Sequence, residues 1–235
     1  MAVTLYHPQW SRPILGVRFD MDGLVLDSEV LYTRFWREAA QALGYPMTVE
    51  QSLGMRSLGQ ALGQPYLESL FGPGVDYVQM RSKRIELMDD YVNRYGIAPK
   101  AGIYELMDYL NGHSIPAAIT SSSPMEAICR HLEAANLLHR FRQLCSGHDI
   151  PNGKPAPDIY LLGAEKLGLN PKDCLALEDS PTGIRAAHAA GCLPVMVPDL
   201  DQPGPETQAL LYAKADSLAD ILPLISQQNE KTSGW

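Results

Sequence analysis

The sequence predicts an α/β protein built on a parallel sheet, with a helical insertion. Short apolar runs that are typical of buried strands recur along the chain and alternate with helical patterns, which indicates a parallel sheet with helices on both faces. These runs cover residues 14–19, 115–119, 141–145, 174–177 and 193–197. Only between the first two runs is the alternation interrupted. We therefore predict a doubly wound α/β core formed by residues 1–27 and 97–235, with residues 28–96 inserted as a compact helical unit.

Helical periodicity fills this insertion without a convincing strand. The helical patterns cover residues 29–43, 49–62, 66–70 and 76–95, and the chain returns to the core through a Gly-Ile-Ala-Pro segment at 96–99.

Capping patterns predict where three helices of the core begin. Ser123 is followed by Pro124 and, three residues on, by a glutamate, which is the pattern of a capping box with proline at the first helical position. Ser180 precedes another proline in the same way. Ser217 is expected to cap a last helix over residues 218–225, after which the polar residues 226–235 should fray.

Composition narrows the class of protein. The chain has 235 residues, of which 46% are hydrophobic and 20% charged, as in ordinary globular domains. A formal net charge of −8 without a basic stripe argues against a nucleic-acid partner. No apolar run is long enough to span a membrane, and residues 1–13 lack a signal-peptide pattern. We expect a cytoplasmic protein with no nucleic-acid or membrane partner, either a monomer or a weak dimer.

The four cysteines are expected to be free thiols, because none is in a Cys-x-x-Cys spacing. They are Cys129, Cys145, Cys174 and Cys192.

An acidic pair marks the end of the first predicted strand. Asp20 and Asp22 stand two residues apart, directly before Gly23. Two carboxylates this close repel each other, and desolvating either one is costly unless a cation compensates. A divalent metal would explain the pair, with one carboxylate as a nucleophile and the other as a proton shuttle. A polar strand end with an Asp-Gly turn is the simpler alternative.

A second acidic pair, Glu178 and Asp179, ends the apolar run 174–177. Carboxylate oxygens at a strand-to-helix junction are ligands that a hard cation such as Mg²⁺ prefers. Acidic capping of the following helix would give the same local pattern. Two such pairs, both at the carboxyl ends of predicted strands, favour the metal site.

Two further segments carry groups that suit phosphate. Thr120, Ser121 and Ser122 follow an apolar run and precede a predicted helix, where hydroxyl and free N–H groups can bind phosphate oxygens. Lys154 lies between a glycine and a proline, which restrict the backbone, and a helical pattern follows it until Gly168.

These four segments, in this order, resemble the motifs of the haloacid dehalogenase-like hydrolases, and more narrowly their sugar-phosphate phosphatases and β-phosphoglucomutases. The segments are residues 19–29, 115–124, 153–160 and 175–183. The resemblance extends from about residue 14 to about residue 218. It implies a Rossmann-like core, a helical cap that closes over the active site, and an enzyme that hydrolyses phosphate monoesters through an aspartyl-phosphate.

The resemblance also implies catalytic roles. Asp20 would attack phosphorus, and Asp22 would give a proton to the leaving alcohol and later take one from water. Lys154 would neutralise the nucleophile and the transferring phosphoryl group. Ser121 would bind phosphate through its hydroxyl, with Thr120 as the rival, and main-chain N–H groups at Ser121 and Ser122 would assist.

The metal implied by the resemblance is Mg²⁺. Its ligands would be the side chains of Asp20 and Asp179 and the backbone carbonyl of Asp22, with Glu178 acting directly or through a bound water. One residue departs from the family pattern: Arg18 occupies a strand position where relatives usually carry a small or apolar residue. It must be paired or lie near an exposed end of the sheet.

Substrate choice is expected in the insertion, because the four motifs would contact only phosphate and metal. The segment 53–57 interrupts the helical pattern and resembles the family's specificity loop. Arg56 is the candidate for contacting the body of the substrate, although an exposed arginine in a salt bridge would look the same.

The resulting functional hypothesis is a Mg²⁺-dependent phosphatase for a small phosphorylated metabolite, with a hexose or hexitol phosphate as the expected substrate. A β-phosphoglucomutase-type mutase is the alternative, and the Asp-Ser-Glu sequence at 27–29 favours the phosphatase. A non-catalytic phosphosugar-binding protein is a third reading. The pair Asp20 and Asp22 speaks against it, since binding alone requires no acid–base group.

Overall fold

The computed structural model describes residues 3–6, 10, 12–56 and 58–232. By the contacts between its residues the chain divides into two compact units, Met1–Leu26 with Ala98–Trp235, and Asp27–Ile97. We refer to them as the sheet unit and the helical unit.

The sheet unit is built on a seven-stranded sheet. Its strands are β1 (Val3–Leu5), β2 (Gly16–Phe19), β3 (Ala117–Ser121), β4 (Gln143–Ser146), β5 (Cys174–Glu178), β6 (Leu193–Met196) and β7 (Ala213–Ala215). They lie in the order β1-β7-β6-β5-β2-β3-β4, and all pairings are parallel except that of β1 with β7. The prediction of an α/β protein with a parallel sheet is confirmed.

The two outer strands β1 and β7 were missed by the sequence analysis. Each has only three residues, so neither gives a recognisable periodicity. Their pairing joins the start of the chain to residues more than two hundred positions away, with Val3 opposite Ala215.

In the part of the helical unit that the structure describes, the chain forms the first four α-helices. They are α1 (Glu29–Ala42), α2 (Val49–Leu53), α3 (Gln60–Phe71) and α4 (Tyr77–Tyr95). Their buried side chains, among them Trp36, Leu67 and Met80, form a hydrophobic core of this unit. Burial of such side chains is the main source of stability for a small helical unit.

The predicted helix over residues 49–62 is wrong, because the chain leaves the helical path after Leu53. A side chain at Gly54 would force the ring of Tyr66 to move, since its Cβ would lie 2.2 Å from the hydroxyl of Tyr66. Helix α3 begins after Gly59 and includes the separately predicted segment 66–70. Ser57, part of the proposed specificity loop, lies outside the described residues.

Among its described residues, the sheet unit contains six further α-helices. They are α5 (Ile103–Gly112), α6 (Met125–Ala134), α7 (Asp158–Leu167), α8 (Pro181–Ala189), α9 (Pro205–Gln208) and α10 (Ile221–Thr232). Two predicted boundaries are confirmed: Ser180 caps α8 by accepting a hydrogen bond from the N–H of Gly183, and Gly168 ends α7 in the left-handed conformation.

The end of the chain differs from the prediction. After a 3₁₀ turn at Leu218–Asp220, α10 continues to Thr232, so residues 226–232 do not fray; residues 233–235 lie outside the described part. Pro223 is tolerated because it stands in the first turn. The buried amide of Gln228 donates to the carbonyls of Trp10 and Arg12, and Asn229 pairs with both backbone groups of Ile14. These bonds hold the last helix to the beginning of the chain.

Candidate active site

The sheet topology brings three strand ends together. From β2 the chain first adds β3 and β4 on one side and then β5, β6 and β7 on the other. In open α/β sheets, ligands bind at the carboxyl ends of the strands where the order reverses. Phe19 of β2 is opposite Leu177 of β5 and Ile119 of β3. The residues just beyond these positions therefore share one edge of the sheet.

Asp20, Glu178 and Lys154 form a buried ionic cluster at this edge. The ammonium of Lys154 lies 2.5 Å from Oδ1 of Asp20 and 2.6 Å from Oε1 of Glu178. Asp20 is 8% exposed and Glu178 is fully buried. Lys154 is thus a buried cation that bridges the carboxylates of two neighbouring strands.

Burial dominates the ionisation of these groups. It raises the pKa of Asp20, an effect that Lys154 opposes and the nearby Asp22 reinforces. Burial likewise raises the pKa of Glu178 to about 7, again against the influence of Lys154. Burial by itself would lower the pKa of Lys154, but the charges of Asp20 and Glu178 outweigh it and raise that pKa well above its ordinary value.

A metal ion fits the arrangement of carboxylates. Asp20, Glu178 and Asp179 each offer an oxygen, and these three oxygens lie within 4.8 Å of one another. A set of oxygen ligands without nitrogen or sulfur suits a hard cation such as Mg²⁺. The fit rests on the chemistry and convergence of these donors.

Asp22 lies on the turn that follows β2. Gly23 adopts φ 80°, a conformation open to glycine, and its N–H donates to the carbonyl of Leu26. The half-buried carboxylate of Asp22 accepts a hydrogen bond of 3.1 Å from the hydroxyl of Ser123.

The capping box predicted at Ser123 is therefore wrong. Helix α6 begins at Met125, with Pro124 as its N-cap and no side-chain cap. Instead of bonding to its own helix, the Ser123 hydroxyl reaches Asp22, 101 positions earlier in the chain.

At the end of β3, the two candidate phosphate-binding hydroxyls, those of Thr120 and Ser121, have different hydrogen-bond partners. The fully buried Thr120 donates its hydroxyl to the carbonyl of Phe19 at 3.1 Å, so its proton is engaged within the sheet. The hydroxyl oxygen of Ser121 accepts the N–H of Ser123 at 3.1 Å, which leaves the proton of Ser121 for another acceptor. The side chain of Ser122 is exposed, and its main chain packs on Gly147.

Two residues that the sequence analysis gave no role lie next to the cluster or support it. The hydroxyl of Tyr160 donates to Glu178, and the carbonyl of Tyr160 accepts a hydrogen bond from Arg18. Tyr160 falls within the lysine motif at 153–160, so its position in the sequence was a usable signal. The expectation that Arg18 is paired or near an exposed end is met by pairing, because its guanidinium is buried and donates to two backbone carbonyls.

Arg56 belongs to the helical unit, where it lies in the turn after α2. Its Nε donates to the carbonyl of Leu53 at 3.2 Å. This bond orients the side chain of Arg56 against its own turn, and it does not show which ligand the side chain would contact.

Comparisons with known proteins identify the family of this chain. Residues 17–197 match the family described as haloacid dehalogenase-like hydrolase. A Drosophila melanogaster protein named "probable pseudouridine-5'-phosphatase" is 33% identical over 225 residues, covering 90% of this chain and 93% of the relative. Hexitol phosphatase B of Escherichia coli K12 is 30% identical over 217 residues, covering 89% and 95%. The crystal structure of β-phosphoglucomutase from Clostridium difficile shares the fold, with a TM-score of 0.75 at 19% identity, covering 93% of this chain and 98% of that one.

The family match and the fold define a hydrolase of the α/β class, and its acidic cluster lies at the carboxyl edge of a parallel sheet. The chain belongs to the haloacid dehalogenase-like hydrolases, within their sugar-phosphate phosphatase branch. Family and relatives support a phosphoric monoester hydrolase as its enzyme class. Within the described residues, no helix is long and apolar enough to cross a membrane.

Proposed function

We propose that this chain is a Mg²⁺-dependent phosphatase that acts on hexose or hexitol phosphates through an aspartyl-phosphate on Asp20. The observation that carries the proposal is the buried cluster in which Lys154 bridges Asp20 and Glu178 beside Asp179. Such a cluster is costly for folding alone, and it offers a nucleophile, a cation and oxygen ligands at one place.

In the first half-reaction, a carboxylate oxygen of Asp20 attacks phosphorus. The new O–P bond forms while the bond from phosphorus to the sugar oxygen breaks. Asp22 gives its proton to that departing oxygen, so the sugar leaves as an alcohol. Ser123, bonded to Asp22, helps to hold the carboxyl group in place.

In the second half-reaction, water attacks the phosphorus of the aspartyl-phosphate. Asp22 takes a proton from this water, and the bond between phosphorus and Asp20 breaks, which releases phosphate and regenerates the carboxylate. Lys154 and the hydroxyl of Ser121 stabilise the negative oxygens of the phosphoryl group throughout. N–H groups at Ser122 and at helix ends would add to this stabilisation.

Mg²⁺ would be held by Asp20, Asp179 and the backbone carbonyl of Asp22, with Glu178 nearby, and when bound it supplies positive charge that offsets carboxylates and phosphate. This contribution is needed because Lys154 alone cannot balance four carboxylates and a phosphate dianion.

The proposed substrate class follows from the named relatives. One of them is named for hexitol phosphates and another for the 5'-phosphate of a nucleoside, so both names describe a phosphate ester of a polyhydroxy compound. The helical unit, with Arg56, is the proposed cap domain (28–96) and the place where the polyhydroxy part would be recognised.

The test is phosphate release by the purified chain from glucose 6-phosphate, mannitol 1-phosphate, sorbitol 6-phosphate and pseudouridine 5'-phosphate, with Mg²⁺ or with EDTA after metal removal. We expect turnover with Mg²⁺ only, inhibition by Ca²⁺, which prefers more ligands at longer distances, and the highest kcat/KM for a hexose or hexitol ester. Asp20→Asn should abolish turnover while leaving the fold intact. Residual turnover within tenfold of wild type, or about 1.4 kcal/mol of barrier, would show that Asp20 is not the nucleophile.

The same assay separates the rival functions. A mutase would interconvert β-glucose 1-phosphate and glucose 6-phosphate when a bisphosphate activator is present and would release little phosphate. A phosphosugar-binding protein would bind these esters and turn over none of them. The aspartyl-phosphate itself is tested by borohydride reduction during turnover, which should convert Asp20 to homoserine in the peptide mass spectrum.

A further inference from the structure

The carboxylate of Glu178 is contacted by four other residues of the sheet unit. Its Oε1 accepts hydrogen bonds from Lys154 and from the hydroxyl of Tyr160, and its Oε2 lies 3.4 Å from the hydroxyl of Ser180. Gly183 packs directly against this carboxylate, because a Cβ there would come within 2.1 Å of both carboxylate oxygens. The orientation of this carboxylate is therefore set before any ligand binds.

Tyr160 connects this carboxylate to a second buried cation. The tyrosine is fully buried in the first turn of α7. The ammonium of Lys154 lies 5.4 Å from the centre of its ring, and the guanidinium carbon of Arg18 lies 5.9 Å from the same centre. Two cations that contact one aromatic ring restrict its position from both the active site and the core.

Arg18 fixes the backbone of the same residue. Its Nη1 donates to the carbonyl of Tyr160 at 2.5 Å and its Nη2 to the carbonyl of Pro171 at 3.2 Å. Gly163 makes room for it, since a Cβ there would meet the Arg18 side chain at 3.0 Å. Among the described contacts its Nε has no hydrogen-bond partner, although it is buried.

An arginine in this position is expensive for stability alone. Burying a charge carries a large desolvation cost, and an apolar residue of similar volume often stabilises a core as well or better. The bonds of Arg18 lead to Tyr160, and the hydroxyl of Tyr160 leads to the acidic cluster.

We propose that Tyr160 and Arg18 are positioning residues for the acidic site: Tyr160 holds Glu178 through its hydroxyl, and Arg18 holds Tyr160 through its carbonyl. The inference rests on the proposed function, since it concerns how the oxygens of Asp20, Glu178 and Asp179 are gathered for a cation. If the hydroxyl of Tyr160 only satisfied its own hydrogen-bonding capacity, its removal would not change cation binding.

The test uses Tyr160→Phe, which removes the hydroxyl and retains the ring. Tyr104→Phe is the matched control, because the hydroxyl of Tyr104 donates to the carbonyl of Ala135 at 2.6 Å, a bond that does not involve the cluster. Binding of Mg²⁺ to the full chain without substrate is measured by isothermal titration calorimetry. Loss of a group that orients a metal ligand typically weakens metal affinity ten- to a hundredfold. We expect a loss in this range for Tyr160→Phe and none for Tyr104→Phe.

Arg18→Met tests the second link. Because Arg18 acts through Tyr160, the double variant should lose no more Mg²⁺ affinity than the single variant with the larger loss. If the two residues acted independently, the fold losses in affinity of the two single variants would multiply. The Mg²⁺ concentration for half-maximal phosphate release should rise in both single variants, while kcat at saturating Mg²⁺ changes less. If Arg18→Met does not fold, the result for Tyr160→Phe still decides the first link and Arg18→Lys decides the second, since lysine can reach one carbonyl.

The outcomes separate this inference from the proposed function. Wild-type affinity for Mg²⁺ in Tyr160→Phe would overturn the inference while leaving the phosphatase standing. Weakened Mg²⁺ binding in Tyr160→Phe, together with a wild-type chain that releases no phosphate, would overturn the phosphatase while leaving the positioning role standing. A wild-type chain that binds no Mg²⁺ would overturn both.

Discussion

Gly183→Ala should damage the site through a single methyl group. An ideal Cβ at Gly183 would lie 1.9 Å from the carboxyl carbon of Glu178, whereas ordinary van der Waals contact begins at 3.4 Å. The carboxyl group must therefore retreat by roughly 1.5 Å, the difference between these two distances. It cannot do so freely, because Lys154 and Tyr160 both donate hydrogen bonds to its Oε1.

The expected loss of activity exceeds the expected loss of stability. A misplacement of about 1 Å in an active site can cost about a hundredfold in rate, so we expect kcat/KM for phosphate release to fall by about that factor. Overpacking costs about 1–3 kcal/mol. Alanine in a helix gains about 1 kcal/mol over glycine, which leaves a net destabilisation of about 0–2 kcal/mol.

Gly112→Ala is the matched control. Gly112 is also helical, at the end of α5, and no atom lies within 4 Å of the Cβ it would carry. This variant should keep the wild-type kcat/KM and melt at the same temperature or slightly higher. The assay is Mg²⁺-dependent phosphate release beside thermal unfolding. If Gly183→Ala matches Gly112→Ala in kcat/KM, the tight contact between Gly183 and Glu178 does not position the carboxylate.

Three further predictions follow from single groups. Arg56→Ala should lower kcat/KM for the preferred sugar phosphate by ten- to a hundredfold, or roughly 1.5–3 kcal/mol, and should barely change the hydrolysis of p-nitrophenyl phosphate. Lys154→Ala, in contrast, should lower kcat/KM for both substrates. Equal losses for the two substrates in Arg56→Ala would place Arg56 on the phosphate instead, and no loss would make it a surface residue. Burial raises the pKa of Cys192 to about 11, so little of this thiol is ionised at neutral pH. A thiol reagent at pH 8 should therefore modify the half-buried Cys129 well before Cys192 in the folded chain. Equal rates of modification at the two cysteines would contradict this prediction. Folding raises the pKa of Glu178 from 4.5 to about 7, so between these pH values the folded chain binds more protons than the unfolded chain. The metal-free wild type should therefore lose stability relative to Glu178→Gln as the pH rises from about 5 to about 7.5. If the melting temperatures of the two proteins changed in parallel over this range, the prediction would be refuted.

The sheet could be predicted where its strands are buried and regular. Five apolar runs correspond to β2 through β6, because parallel strands covered on both faces read as continuous apolar segments. β1 and β7 carry no such signal, since each spans only three residues. The continuation of α10 depends on the polar residues Gln228 and Asn229, whose partners lie at the other end of the chain. Periodicity reports which face is apolar, and it cannot report such long-range polar anchors.

The residues of the candidate site could likewise be predicted where the local sequence carries a signal, and not where their role depends on a distant partner. Asp20, Glu178 and Lys154 were identified because acidic pairs and a confined lysine are unusual at strand and helix ends. Ser123 was misinterpreted, because its local pattern fits a helix cap while its partner, Asp22, lies 101 positions away. Tyr160 was overlooked, since a buried tyrosine after a proline-rich loop looks like ordinary core until its hydroxyl partner is known.

The first strand contains a buried arginine whose contacts lead through Tyr160 to the acidic cluster. At the carboxyl edge of the sheet, burial raises the pKa values of both Asp20 and Glu178, which means that their charged forms are disfavoured in the folded chain. Lys154 compensates part of this cost, and a bound divalent cation would compensate more. Arg18 lies two residues before Asp20 in the sequence, and its guanidinium carbon is 5.9 Å from the centre of the Tyr160 ring. An apolar residue there would pack more cheaply, but it would leave the carbonyl of Tyr160 without this donor. The unusual residue of the first strand is thus best understood together with the acidic residues that follow it.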